Sequence, residues 1–257
     1  MQITQSDSAR SRALTPSVIS IPLAGRVKFE HRLRKNRVVA PFLGEFEADV
    51  FRGLRTLVLK RLTERNAKTL GVCSAGAGEG KSLIALNLAI SLSFDVNHTV
   101  LLVELDLRSP KLHQCFEVMP AKGLSDVLGG EAQVSECMIN LGYAGYDRLT
   151  LLPARVPLYN SSELIASPKM AELTRELRNQ YPERIIVYDL PPLLLSDDCL
   201  AFMDYLDAFL FVVGAGKAVG EEIHRALSLV DRTKMIGTIL NGPKIGIKRP
   251  QYYDENR

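Results

Sequence analysis

The chain has 257 residues, 46% hydrophobic and 24% charged, enough to bury one sizeable core. Net charge is only +3 but uneven: residues 1–40 carry Arg10, Arg12, Arg26, Lys28, Arg32, Arg34, Lys35 and Arg37 against Asp7 and Glu30, so that segment is +6 and the rest −3. These numbers, with no apolar run near the roughly 20 residues of a spanning helix, argue against a membrane span and leave one domain with tails as the expectation.

The opening "MQITQSDSARSRALTPS" lacks the apolar core of a secretory signal, so a cytoplasmic protein is expected. Cys73, Cys115, Cys137 and Cys199 form no C-x-x-C pair, which argues against a zinc knuckle or a disulfide framework. Residues 1–40 read as a basic arm without fixed structure, suited to an anionic membrane surface or an acidic partner. Phe29 is its only aromatic residue, so nucleic acid is not an expected partner.

"FEADVFRGLRTLVLKRLTERN" follows, with apolar residues at 50, 51, 54, 57, 58 and 62, one face of a helix. "KTLGVCS" reads as a buried strand, a glycine-rich turn follows, and an apolar helix runs from about Lys81 to Leu92. "TVLLVELD" is a second strand, "KGLSDVLGG" and "EAQVSECM" are short helical pieces, and "RLTLLPA" is a third strand. "SSELIASPKMAELTRELRNQ" is helical, with Ser167 as cap and Pro168 in the first turn of its second half. "ERIIVYDLPP", "DAFLFVVGAG" and "MIGTILNG" are further strands, with the helix "GEEIHRALSLV" before the last. Continuous apolar strands alternating with amphipathic helices predict an α/β fold: one P-loop NTPase-like domain over residues 41–245, a mostly parallel sheet with helices on both faces, and a tail over 246–257. Loops at the carboxyl ends of the strands should then carry the chemistry.

"AGAGEGKS" fits a Walker A phosphate cradle with Ala75 at its first glycine position. Gly76, Gly78 and Gly80, with Ala77 and Glu79 between them, let successive N–H groups point at phosphate oxygens, and the helix opening at Lys81, Ser82 and Leu83 adds its free amides. Lys81 suits the β- and γ-phosphates and Ser82 suits Mg2+, so ATP and Mg2+ are the expected cofactors. Phosphoryl transfer also needs carboxylates opposite the cradle. Asp189 ends "RIIVYD", and Asp106 lies in "ELDLRSP" between Glu104 and Arg108. In an extended segment, 104, 106 and 108 would project to one side, near the phosphates.

"EADVFRGLRT", "AGAGEGKS", "VLLVELDLRSPKLH", "GLSDVL", "SSELIASPKM", "IIVYDLPP" and "ILNG" occur in the order and rough spacing of bacterial tyrosine kinases. Over about residues 40–242 the chain resembles this family, the cytoplasmic autokinases of capsule and exopolysaccharide synthesis, which belongs to the deviant Walker group. The resemblance implies catalytic roles for Lys81, Glu104, Asp106 and Arg108, metal binding by Ser82, Asp106 and Asp189, and an adenine contact at Asn241. Glu104 stands where the family usually has Asp, at a position that helps accept the tyrosine proton. "DVFRGLR" resembles a ring-forming helix, with Asp49, Arg52 and Arg55 as contacts and Asp49 in place of the usual Glu. Tyr252 and Tyr253 match a tyrosine-bearing tail and would be the phosphoacceptors. The partner implied is a membrane polysaccharide co-polymerase that regulates chain length and activates the kinase at the inner membrane face. Two other readings of the same residues are a catalytically weakened ATP-binding scaffold and a partitioning-type ATPase switch. The latter usually has a lysine where this chain has Gly76.

Overall fold

Alternation along the strands sorts the apolar residues onto the two faces of one sheet. The computed structural model describes residues 17–18, 26–116, 118–140 and 148–242. Its elements are β1 (Ser17–Val18), α1 (Arg26–Lys35), α2 (Phe46–Glu64), β2 (Thr69–Ser74), α3 (Lys81–Ser93), β3 (Thr99–Glu104), α4 (Leu112–Cys115), α5 (Leu124–Gly129), α6 (Val134–Cys137), β4 (Ile139–Asn140) and β5 (Leu149–Leu152). There follow α7 (Ser161–Ile165), α8 (Pro168–Gln180), β6 (Arg184–Asp189), α9 (Asp198–Phe202), β7 (Ala208–Gly214), α10 (Gly220–Ser228) and β8 (Met235–Asn241). The sheet order is β1-β4-β5-β3-β6-β2-β7-β8, and among the described residues only the β4–β5 pairing is antiparallel.

Side chains two apart on a strand share a face. Val100 and Leu102 of β3, with Ile185 and Val187 of β6, meet α3, which α2 covers in turn through Val58 and Leu62. Leu101, Val103, Ile186 and Tyr188 face the other way, toward α5, α8 and α9. α3 is buried along nearly its whole length, as a helix that is apolar all round must be. Ser167 caps α8 by accepting from the Met170 N–H, with Pro168 at the start of the helix. The six strands and four longer helical stretches expected from the chain appear where their patterns place them, the stretch from Ser161 being divided into α7 and α8. The two-residue strands β1 and β4 are too short to show a period.

The basic arm departs from expectation. Residues 26–35 form α1, and Leu33, Val38 and Ala40 join the core above α3. What holds them is Asn87, a buried amide within the apolar run of α3. Its Oδ1 accepts from the N–H groups of Val39 (2.7 Å) and Ala40 (2.9 Å), and its Nδ2 donates to the carbonyls of Arg37 (3.2 Å) and Leu83 (2.9 Å). A buried polar side chain demands partners, and here the chain ahead of α2 supplies them. The folded unit therefore begins well before residue 41.

Candidate active site

β2 ends at Ser74, and the turn to α3 curls around the amino end of that helix. Gly78 (φ 73°) and Gly80 (φ 97°) take left-handed backbone conformations that disfavour a Cβ. At Gly80 the space is also closed, because a Cβ would lie 1.9 Å from Asn241 Nδ2. Ala75 is buried and needs no such conformation, since the positive-φ non-glycine residues described are Arg37, Asn66 and Arg155. The missing first glycine therefore leaves the turn unstrained.

The turn is braced from behind. Glu79 Oε1 accepts from Gly76 N–H (2.6 Å) and Oε2 from Gly214 N–H (2.9 Å). Asn241 Nδ2 donates to the Glu79 carbonyl at 2.8 Å, and Lys217 Nζ donates to the Gly78 carbonyl at 2.8 Å. Asn241 thus sits at the end of β8 against the turn itself. The Glu79 and Asn241 side chains hold the loop's shape while its backbone amides line the cleft.

That cleft measures about 430 Å3 and is lined by Lys81, Ser82, Asp106 and Asp189 together with Gly78 and Gly80. Lys81 Nζ lies 2.8 Å from Asp106 Oδ2, 3.3 Å from Ser82 Oγ and 4.0 Å from Asp189 Oδ1. Burial opposes the lysine charge, but Asp189 and Asp106 outweigh it and hold its pKa above the usual value. Asp189 is fully buried, and burial pushes its pKa up to about 6 against the pull of the ammonium. Its Oδ1 is buried with no hydrogen-bond partner. An orphaned carboxylate oxygen beside a serine hydroxyl and a second carboxylate fits Mg2+, which takes one or two carboxylates together with phosphate oxygens. Among the described residues no three or more His, Cys, Asp or Glu side chains gather into a protein-only metal cage.

Glu104 and Arg108 do not join this group in the way an extended segment would place them. β3 ends at Glu104 and the chain turns through residues 107–109, so the two-residue alternation stops. Glu104 is 1% exposed. Its Oε1 accepts from the N–H groups of Lys111 and Leu112, and Oε2 accepts from Ala154 N–H at 3.0 Å. Its carboxylate borders the cleft, but both oxygens are committed to the backbone. Arg108 also borders the cleft, with its guanidinium tied to α7 and α9: Nε donates to Ser161 Oγ (3.1 Å), and Nη2 to Ser162 Oγ (3.1 Å) and Asp198 Oδ1 (3.4 Å). Asp198 is completely buried and also accepts from both serine hydroxyls at 2.6 Å. Sequence reasoning missed Ser161, Ser162, Asp197 and Asp198; the paired polar dyads "SS" and "DD" at helix starts were the available signal.

The remaining candidates lie apart from the cleft. Asp49 and Arg52 pair with each other on α2, and Arg55 Nη1 donates to the Ser91 carbonyl at 3.0 Å. Tyr188 is buried with its ring 4.7 Å from that of Phe202, and burial pushes its hydroxyl pKa up. Tyr252 and Tyr253 lie outside the described residues.

No protein-family model matches the chain. It is 29% identical over 223 residues to the tyrosine-protein kinase YwqD of Bacillus subtilis, covering 86% of this chain and 91% of YwqD. The chain is thus similar to proteins named tyrosine-protein kinases. The succinoglycan biosynthesis transport protein ExoP of Rhizobium meliloti is 32% identical over 81% of this chain, but the match spans only 26% of ExoP. Among solved structures, the kinase domain of VpsO superposes with a TM-score of 0.67 at 28% identity, covering 84% of this chain and 99% of that one. The septum site-determining protein MinD of Pyrococcus horikoshii, solved with Mg-ADP, shares the fold at a TM-score of 0.57 and 20% identity, over 73% of this chain and 76% of MinD.

Proposed function

We propose that the chain is an ATP-dependent protein-tyrosine autokinase of capsule or exopolysaccharide synthesis, with Tyr252 and Tyr253 as acceptors. The observation that carries this reading is the lysine of the cradle gathered with Ser82 and two carboxylates in one cleft, in a chain related to tyrosine kinases over most of its length. ATP would supply the transferable phosphoryl group, and Mg2+ held by Ser82, Asp106 and Asp189 would neutralise its developing charge. Lys81 is held in the cleft by Asp106 and lies ready to pair with phosphate oxygens instead. With both oxygens of Glu104 bound to amides, Asp106, whose Oδ2 meets Lys81, is the carboxylate left to turn toward an incoming tyrosine hydroxyl; Glu104 and Arg108 position the loop around it.

In this reading a membrane polysaccharide co-polymerase recruits and activates the kinase, and the basic residues Arg32, Arg34 and Lys35 on α1 suit an anionic membrane face. Self-association through the α2 surface that bears Asp49, Arg52 and Arg55 belongs to the same proposal. No helix among the described residues is long and apolar enough to cross a membrane.

The test is phosphosite mapping by mass spectrometry after incubation with Mg-ATP, beside a Lys81→Met control. Phosphate on Tyr252 or Tyr253 that disappears in the control is the expected result. Hydrolysis with phosphate appearing only in solution would instead favour an ATPase switch.

A further inference from the structure

The active-site cleft uses one end of β2, β3 and β6. At their amino ends, about 20 Å away along six-residue strands, lies a second cleft of about 220 Å3. Asn66, Lys68, Asn97, His98 and Arg184 line it, with Glu183 as the acidic residue among its lining.

Arg184 opens β6 and is only 7% exposed. Its guanidinium stacks 3.8 Å from the centroid of the Tyr181 ring. Nε and Nη1 are buried and have no hydrogen-bond partner. Thr99, its register neighbour on β3, has a buried Oγ1 in the same condition. An arginine cannot escape burial by losing its proton, and a buried charge with open donors is costly unless an opposite charge meets it. Glu183, in the same cleft, acts on Arg184 through its charge but makes no hydrogen bond to Nε or Nη1, and the other acids nearby are engaged. Asp207 accepts from Lys68 N–H and Thr69 N–H and pairs with Arg178 at 2.6 Å, and Asp95 pairs with His98 at 2.8 Å.

We propose that this cleft is an anion site that takes a phosphate group. Arg184, Lys68, Asn66 and Asn97 line the space from several sides, and Thr99 lies behind Arg184 on the neighbouring strand. A tetrahedral oxyanion with four acceptor oxygens uses such an arrangement more fully than a planar carboxylate. The site is independent of the kinase reading, because none of its residues lines the nucleotide cleft.

Phosphate also suits the cradle, so the probe is inorganic phosphate added to the full chain already saturated with Mg-ADP. The readout is NMR of the Arg184 Nε–H signal and of the backbone amides of residues 97–98 and 183–185. A saturable shift at these groups is expected. Arg184→Gln should abolish it, and Lys68→Gln should weaken apparent affinity about tenfold. No saturable shift, shifts confined to residues 76–83, or unchanged affinity in Lys68→Gln would each overturn the site. If Arg184→Gln fails to fold, Lys68→Gln decides alone. Acetate binding more tightly than phosphate would overturn the phosphate assignment, and weaker binding supports it.

Discussion

The two ends of β2, β3 and β6 treat a buried cation in opposite ways. At the carboxyl ends, Lys81 has Asp106 at 2.8 Å and Asp189 at 4.0 Å, so its charge is matched within the protein. At the amino ends, Arg184 has an aromatic ring on one face, only the adjacent Glu183 as a nearby opposite charge, and two buried nitrogens, Nε and Nη1, without an acceptor. A matched cation lowers the cost of the empty cleft and can exchange one anionic partner for another. An unmatched one holds its cost until a ligand arrives. Strand direction explains why the ends differ: a parallel sheet gathers the loops that end its strands on one side and those that begin them on the other.

The largest effect should come from breaking the matched end. Lys81→Met should lower tyrosine phosphorylation by at least about a hundredfold, the scale for removing one charge-stabilising group, with the fold retained. A thermal melt beside the phosphorylation assay separates these, and an unaltered rate would sink the assigned role of Lys81.

Glu104 comes next. Glu104→Ala strands three N–H groups, two of them buried and one half-buried, and should cost about 3–5 kcal/mol in urea unfolding, at about 1–3 kcal/mol for each unsatisfied group, not fully additive. Glu104→Asp, which restores the residue usual in the bacterial tyrosine kinases, should also lose stability, because the shorter side chain cannot reach both Leu112 and Ala154. A more stable and more active Glu104→Asp protein would show that the carboxylate is catalytic and not a brace.

Asn87→Leu should cost about 2–3 kcal/mol and raise hydrogen exchange selectively at Val39 and Ala40, while leaving the cradle amides protected. Uniform loss of protection would mean that the arm is not a separate layer.

The smallest effect concerns Asp207 at the amino end. Burial raises its pKa, but the Lys68 and Thr69 amides and the Arg178 guanidinium outweigh that and hold it below the usual carboxylate value. Its contribution is therefore complete above the unfolded pKa of about 3.9 and is lost as pH falls through the lower folded value. Urea midpoints at pH 6, 4 and 3 should decline less steeply in Asp207→Asn than in the parent chain; parallel declines would contradict the assignment.

Much of this was readable in the chain. Gly78, Gly80, Lys81 and Ser82 are legible because the cradle is local, built from consecutive residues whose spacing is itself the signal. The strands around it are legible for the same reason, through Val100 to Val103 or Ile185 to Tyr188. Glu104 and Arg108 border the cleft as expected, but their bonding was not foreseen, because the alternation was carried past the end of β3 into a turn. Their partners, Ala154, Ser161, Ser162 and Asp198, are about 50 to 90 residues away in sequence. Asn87 was visible as one amide in an apolar helix, but the backbone it binds had no pattern of its own.

The sequence by itself determined the local chemistry: a phosphate cradle between strand and helix, acidic residues at strand ends and a parallel α/β architecture. Short-range periodicity and turn geometry suffice for these. Only the tertiary structure decided which carboxylate faces the cleft, which serves as a brace, where the folded unit begins, and that Arg184 is buried with its Nε and Nη1 unbonded. Each of those depends on which distant backbone amides and side chains packing brings within about 3 Å, and no spacing along the chain encodes that.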